Sequence, residues 1–368
     1  MMTEYDQLAG FLAVDPANVA LLADTAHAAI AAGRPAEARA LIERLRAIEG
    51  PSPAIEHLTG LAAMTERDWA GAATAFRTLT GAGVDAPGVR YNLARSLAMQ
   101  GETDDAVALL DDDLAAELPQ AAQLLIGLLH DRGDMDRAET VARMAFDRFP
   151  DHAGVNATIS TLAIDLEDLD LARAAAGRAG DHPEGLVTQA TLAMEAADPA
   201  AAGALFDRVL AVQPDHPRAR VGRGLLALSG QDAAAATADL DRGAEGFGSH
   251  LGSWIAAGWA HLLAGDAATA RSRFDRALAI DDSFAEGHGS LAVLDLLAGD
   301  LDAARRRTAV ALRLDRESFA GGLAAAMLAA GDGDVATAGR IVKLALSTPL
   351  DDRGTTIAQA LARMGGRG

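Results

Sequence analysis

The sequence predicts an all-α array of about ten helix-pair units, closed at each end by a single helix. Three observations carry this. Ten alanines keep register along the chain: Ala38, Ala72, Ala106, Ala138, Ala172, Ala202, Ala236, Ala270, Ala304 and Ala338, spaced by 34, 34, 32, 34, 30, 34, 34, 34 and 34 residues. Four residues before each of eight of them stands an aspartate, at Asp68, Asp134, Asp168, Asp198, Asp232, Asp266, Asp300 and Asp334; Arg34 and Glu102 hold the place in the other two. Half of the residues are hydrophobic but only 4% are aromatic, so the core is built from Ala, Leu, Val and Ile. Small side chains let helices approach closely, and a fixed period of this length is the signature of stacked supersecondary units.

The elements follow in order. Residues 3–14 read as a lone N-terminal helix with Leu8, Phe11 and Leu12 on one face. Ten units then span 19–350, starting near Val19, Pro53, Pro87, Pro119, Ala153, Pro183, Pro217, Leu251, Ala285 and Phe319. The unit with Trp254 shows the plan best. Trp254, Ala257, Gly258 and His261 share one helical face; Gly265 ends that helix, Asp266 starts the next, and Ala267, Ala270, Phe274, Ala277 and Leu278 renew the period. The aspartates suit N-caps, where a carboxylate accepts from free N–H groups and meets the positive helix end. Pro35 and Pro199 follow at the first helical position, where a missing N–H costs nothing, and Gly33, Gly101, Gly133, Gly265 and Gly299 suit the left-handed helix stop. Two units break the 34-residue period, so a kink is expected within 115–185, with no linker long enough to separate domains. Residues 355–364 read as a covering C-terminal helix, which makes 3–364 one solenoid.

The net charge is −20, which repels phosphate backbones and excludes nucleic acid as the expected partner. Lys343 is the only lysine, an imbalance expected of a GC-rich bacterial coding sequence. There is no cysteine, which removes disulfides and thiolate metal sites. The start, Met1-Met2-Thr3-Glu4-Tyr5-Asp6, lacks a basic region followed by an apolar stretch, and no window has the length of a membrane span, so a cytoplasmic location is expected.

At the residues Trp254, Gly258, Ala270, Phe274 and Ala277 the chain resembles the tetratricopeptide repeat (TPR) family. Gly60, Trp69, Ala72 and Phe76 match in the same way, as do Leu93 and Ala106; Ala138, Ala145 and Pro150; Ala202, Phe206 and Pro214; and Ala304 and Ala311. Alanine or leucine often replaces the family's aromatics. The resemblance implies a right-handed superhelical solenoid whose first helices line a concave groove. It places the second, fifth, ninth and twelfth residues of each unit there. Toward the N-terminus these include His27, His57, Tyr91, Arg95, Gln120, Gln123 and His130, with Asn92 beside them. Toward the C-terminus they include Val187, Met194, Val221, Leu225, Leu228, Ile255, Trp259, Leu262, Val293, Leu296, Leu323 and Met327. The implied groove is polar in its first half and apolar in its second. An exposed apolar strip marks an interaction site, and Trp259 and Met194 are its expected anchors, holding an amphipathic helix or apolar segment of a protein partner. The alternative is that some of these side chains are inter-repeat core. Members that clamp a terminal carboxylate use Lys and Asn where this chain has Tyr91 and Arg95, so a clamp is disfavoured.

Other groups have plainer roles. His152, His182, His216 and His250 precede first helices and suit helix entry better than metal, because successive repeats hold them apart. Arg305-Arg306-Arg307 suits a solvated outer face, and Asp111-Asp112-Asp113 a solvated loop or helix end. Asp281-Asp282 and Asp351-Asp352 lack the ligand spacing of a calcium loop. There is no phosphate-cradling glycine loop and no nucleophile elbow. The expectation is a non-enzymatic adaptor, scaffold or assembly chaperone without cofactor or metal. The alternatives are an accessory subunit of an enzyme or secretion complex, or a self-assembling scaffold.

Overall fold

The structure is a computed structural model that describes residues 3–347, and among these it contains twenty-two helices and no strand. The expected helix at 355–364 lies outside the described residues. Cα packing divides the chain into two units, Met1–Gly185 and Leu186–Gly368.

Unit 1 holds α1 (Glu4–Val14), α2 (Val19–Ala31), α3 (Pro35–Glu49), α4 (Pro53–Thr65), α5 (Trp69–Gly81), α6 (Pro87–Ala98), α7 (Thr103–Leu109), α8 (Asp112–Glu117), α9 (Pro119–Asp131), α10 (Met135–Arg148), α11 (Ala153–Asp165) and α12 (Leu169–Ala179). The lone first helix is present, begun by a reciprocal capping box between Thr3 and Asp6. Of its expected apolar face, Leu12 is buried but Phe11 is 65% exposed.

One second helix departs from the plan. The helix expected after Glu102 is broken into α7 and α8 at Leu110-Asp111. Asp111 caps α8 by accepting from Leu114 N–H at 2.8 Å, so the exposed run Asp111-Asp112-Asp113 stands at a helix end, as expected. Arg90 of α6 holds the break together, donating to Leu109 O at 3.1 Å and to the Asp111 carboxylate. Leu110 and Leu114, on either side of the break, are both buried.

Unit 2 holds α13 (Pro183–Glu195) from Leu186 on, then α14 (Pro199–Val212), α15 (Pro217–Ser229), α16 (Ala233–Phe247), α17 (Leu251–Leu263), α18 (Ala267–Ile280), α19 (Ala285–Leu297), α20 (Leu301–Leu314), α21 (Phe319–Gly331) and α22 (Val335–Ser347). The ladder alanines Ala202, Ala236, Ala270 and Ala304 are fully buried here, as Ala38, Ala72, Ala106, Ala138 and Ala172 are in unit 1.

The aspartate ladder is a capping ladder. The side chains of Asp68, Asp168, Asp198, Asp232, Asp266, Asp300 and Asp334 each accept the N–H three residues on, at 2.9–3.0 Å. Asp134 is the exception: it starts α10 without a side-chain bond. The entry histidines cap as well. Nδ1 of His152, His216 and His250 accepts from Val155, Ala219 and Ser253 N–H at 3.1, 3.4 and 3.2 Å.

The residue before each ladder position takes a left-handed backbone. Glycine supplies it at Gly33, Gly101, Gly133, Gly265, Gly299 and Gly333, but Arg67, Glu167, Ala197 and Gln231 hold it with φ of 56–62°. An L-residue pays about 1–2 kcal/mol there, while glycine loses roughly 0.4–1 kcal/mol through its freer unfolded state. Ala197→Gly is therefore expected to stabilise the protein by about 0.5–1 kcal/mol, read as a raised urea midpoint at unchanged slope.

Helix pairs interlock by exchanging volume across one contact. A Cβ on Gly258 of α17 would lie 2.2 Å from Phe274 of α18, one on Gly60 of α4 2.7 Å from Phe76 of α5, and one on Gly224 of α15 2.6 Å from Leu240 of α16. Each pair is 16 residues apart, and in α9 and α10 the same register carries the reverse, Ile126 with Ala142. The large residue sits on whichever helix has room, as close packing demands.

Candidate partner-binding surface

In unit 1 the first helices α2, α4, α6 and α9 carry the polar residues that the sequence singles out. Tyr91 and Asn92 are half-buried, while Arg95 and Gln120 are exposed. Gln123 reaches from α9 to α11, its amide oxygen lying against Gly154. His130 Nε2 is 2.7 Å from Asp165 Oδ2, so it is tied to α11. His57 rests edge-on against Phe76 at 6.1 Å, and burial, followed by nearby His27, holds its imidazole below the usual histidine pKa.

In unit 2 the apolar residues separate into core and lining. Val187 and Val293 are only 2% and 3% exposed and belong to the core, not to a groove. The reason for Val293 is local. α19 packs so closely on α21 that a Cβ on Gly289 would meet Gly321 N at 2.3 Å, and α19 is buried on nearly every side. Glu286 reinforces this approach by accepting Phe319 and Ala320 N–H at 2.6 and 3.0 Å, capping the next repeat's first helix from 33 residues away.

Around Val293, Ala292 and Ala324 the fold gathers half-buried Trp259, Leu262, Leu296, Leu323 and Met327 from α17, α19 and α21. Trp259 is held from both sides: its ring meets Phe274 edge-on at 5.9 Å, and its indole N–H donates to the buried Ser290 Oγ at 3.1 Å. Val221 and Leu228 pack on Ala236, Leu240, Ala257 and Ala260; Ile255 packs on Ala270 and Phe274; Met194 packs beside Phe206. Leu225, 40% exposed, is the most open of the group.

The sequence pattern did not reveal how the charges of unit 2 are used. Asp239 on α16 is buried between Arg220 and Arg223 of α15, with Arg223 Nε at 2.6 Å. Asp241, two residues on, binds Arg273 of α18 at 2.8 Å and His261 of α17 at 3.0 Å. Asp295 of α19, its side chain 7% exposed, takes Arg271 of α18 at 2.6 Å and Arg307 of α20 at 3.0 Å. Arg305 pairs with Asp332 at 2.8 Å, so two of the three arginines expected on a solvated face are engaged with acids. Burial pushes the Asp239 and Asp241 carboxyls up, but hydrogen bonds from Arg223 and Arg220, and from Arg273 and His261, outweigh it and hold both below the usual carboxylate range. No composition signal marks these clusters, because their ion pairs join groups 12–32 residues apart through helix packing.

An open depression of about 470 Å³ lies between α20 and α21, floored by Thr308, Ala309, Ala325 and Leu328 and rimmed by Arg305, Asp332 and Asp334. Among the described residues no group of three or more His, Asp or Glu is placed to hold a metal ion, and no helix is long and apolar enough to cross a membrane.

The family model for the tetratricopeptide repeat matches residues 57–122 and 187–249. No curated protein sequence matches the chain. Among solved structures, a human IFIT1 dimer with m7Gppp-AAAA is similar at 12% identity, with 89% of each chain covered and a TM-score of 0.56. A monomeric IFIT1 mutant with m7Gppp-AAAA gives 12% identity over 89% of this chain and 87% of that one, with a TM-score of 0.59. PilF of Pseudomonas aeruginosa gives 17% identity over 57% of this chain and 96% of that one, with a TM-score of 0.45. At identities this low, the two IFIT1 likenesses speak for the fold alone. With the repeat family matched over one stretch of each unit and helix pairs of the matching period along the described chain, the protein is an all-α solenoid of tetratricopeptide-type repeats.

Proposed function

We propose that this chain is a non-enzymatic protein-interaction scaffold that holds an apolar segment of a partner against the first helices of unit 2. The observation that supports it is the half-buried group Trp259, Leu262, Leu296, Leu323 and Met327, drawn from three first helices onto one surface. Thioether and aromatic side chains of this kind are enriched at interface cores. A repeat array acts by positioning, and the titratable groups of unit 2 named above are tied into ion clusters that join helices. Tyr91, Asn92, Arg95, Gln123 and His130 form a second, polar region on unit 1 that would engage a different part of the partner.

Trp259 is a poor site for a test, since its substitution also removes the Ser290 bond and the Phe274 contact. Leu225→Asp and Met327→Asp change lining residues with less effect on the core. Affinity capture read by mass spectrometry is expected to lose the same specific protein with both variants while circular dichroism stays unchanged. Capture equal to wild type with both variants would refute the assignment. m7Gppp-AAAA, which IFIT1 holds, is expected not to bind a chain of net charge −20.

A further inference from the structure

The turns between first and second helices line one edge of each unit, and the two units differ there. Three residues before the ladder position, unit 1 has Ala31, Thr65, Met99, Asp131 and Asp165. Unit 2 has Leu263 and Leu297 in two successive repeats, 67% and 63% exposed, and Leu301 follows on the same edge at 47%. Single exposed leucines need no explanation, but these recur with the 34-residue period, so the stack aligns them.

The charge differs too. Unit 1's turns carry Arg34, Arg67 and Arg132 among their acids. In unit 2 the stretches 262–270 and 296–304 contain Asp266, Asp300 and Asp302 and no basic residue. Each capping aspartate accepts a backbone N–H with one oxygen, and the other oxygen of Asp266 lies 3.9 Å from His261 Nδ1. A hydrogen bond from Thr269 holds the Asp266 carboxyl below its ordinary pKa, so it stays ionised. The strip leads into the depression beside α20: Leu301 lies one turn before Arg305 on that helix, and the rim there adds Asp334.

We propose that this edge of unit 2 docks a basic amphipathic helix of a partner protein. Leucine-type side chains of the partner cover Leu263 and Leu297 and enter the depression, and its lysines or arginines meet the capping aspartates. Charge complementarity selects this occupant: an apolar strip flanked by acids, where the rim cation Arg305 is already paired with Asp332, rejects an acidic helix and favours a basic one. The spacing also suits a helix. Neighbouring packed helices lie about 10 Å apart, close to the rise of about 10 Å over two helical turns, so partner residues i and i+7 fall opposite successive repeats.

The surface is separate from the one described under Proposed function, and the test keeps the two apart. A synthetic leucine–lysine amphipathic helix of about 15 residues, roughly four turns, is titrated by fluorescence anisotropy, with a leucine–glutamate counterpart as control. The lysine peptide is expected to bind and to protect amides within 260–270 and 296–305 from hydrogen exchange. Leu263→Ser with Leu297→Ser should weaken it about tenfold or more at unchanged melting temperature. Asp266→Asn with Asp300→Asn should weaken it too, because asparagine keeps the cap and removes the charge. Leu225→Asp should leave it unchanged. Equal binding of the glutamate peptide, unchanged affinity in the leucine variant, or protection centred on the turns of unit 1 would each overturn the proposal. So would self-association in ultracentrifugation that the leucine variant abolishes, which would assign the edge to a second copy of the chain.

Discussion

Phe274→Ala is expected to destabilise unit 2 by about 3–5 kcal/mol, the range for emptying a fully buried aromatic site. The ring has no substitute there, since it fills the gap left by Gly258 across the helix pair and also supports the edge of Trp259. The reverse error should also be costly. Gly258→Val drives a branched side chain into the ring position and is expected to cost about 1–3 kcal/mol, with little relief because Phe274 is completely enclosed. The combination Gly258→Ala with Phe274→Leu should be milder than Phe274→Ala alone, because it reproduces the Ala94 and Leu110 pair found at the same register in unit 1. Hydrogen exchange resolved along the chain is the appropriate measurement, since repeats open partly independently. Loss of protection confined to α17–α19 is expected. A double variant as unstable as Phe274→Ala would show that packing volume does not govern this contact.

The second large effect is expected at Asp239. Asp239→Ala leaves Arg220, itself 9% exposed, without its carboxylate and should cost about 3–5 kcal/mol. Asp239→Asn, which keeps the shape and some hydrogen bonding, should cost less. The pair of clusters also sets an acid limit. Asp239 and Asp241 have carboxyls depressed below the ordinary aspartate value of 3.8, so they bind a proton more weakly folded than unfolded. Their contribution is complete above that ordinary value and is lost as pH falls through the lower folded one. Amides of α15–α18 are therefore expected to lose protection as pH falls below about 4, and Asp239→Asn should flatten that dependence. An acid response of the same size in the variant would mean that other carboxylates carry it.

The sequence by itself determined the repeat. Period, caps and helix stops are local properties: an aspartate accepts the N–H three residues on, and a left-handed stop needs no distant partner. That is why Asp266 or Gly265 was legible from spacing alone. It also explains why the stop survives at Ala197 and Gln231, where composition gave no sign and the repeat geometry imposed the backbone. Tertiary structure decided everything that depends on which surfaces meet. The break at Leu110 is held by Arg90, which reaches from α6 to the Leu109 carbonyl and the Asp111 carboxylate on either side of it. Val293 became core because Gly289 allows α19 to approach α21 at backbone distance, a consequence of a missing side chain that periodicity does not register. The candidate site was legible to the same extent. Register placed Trp259, Leu262, Leu296 and Met327 on first helices, and packing then fixed how much of each remains open. The buried aspartate clusters lay beyond register, because burial and ion pairing belong to the assembled helices and not to any one repeat; at the apolar, acidic edge, register aligns Leu263 with Leu297 and only the packing leaves them exposed.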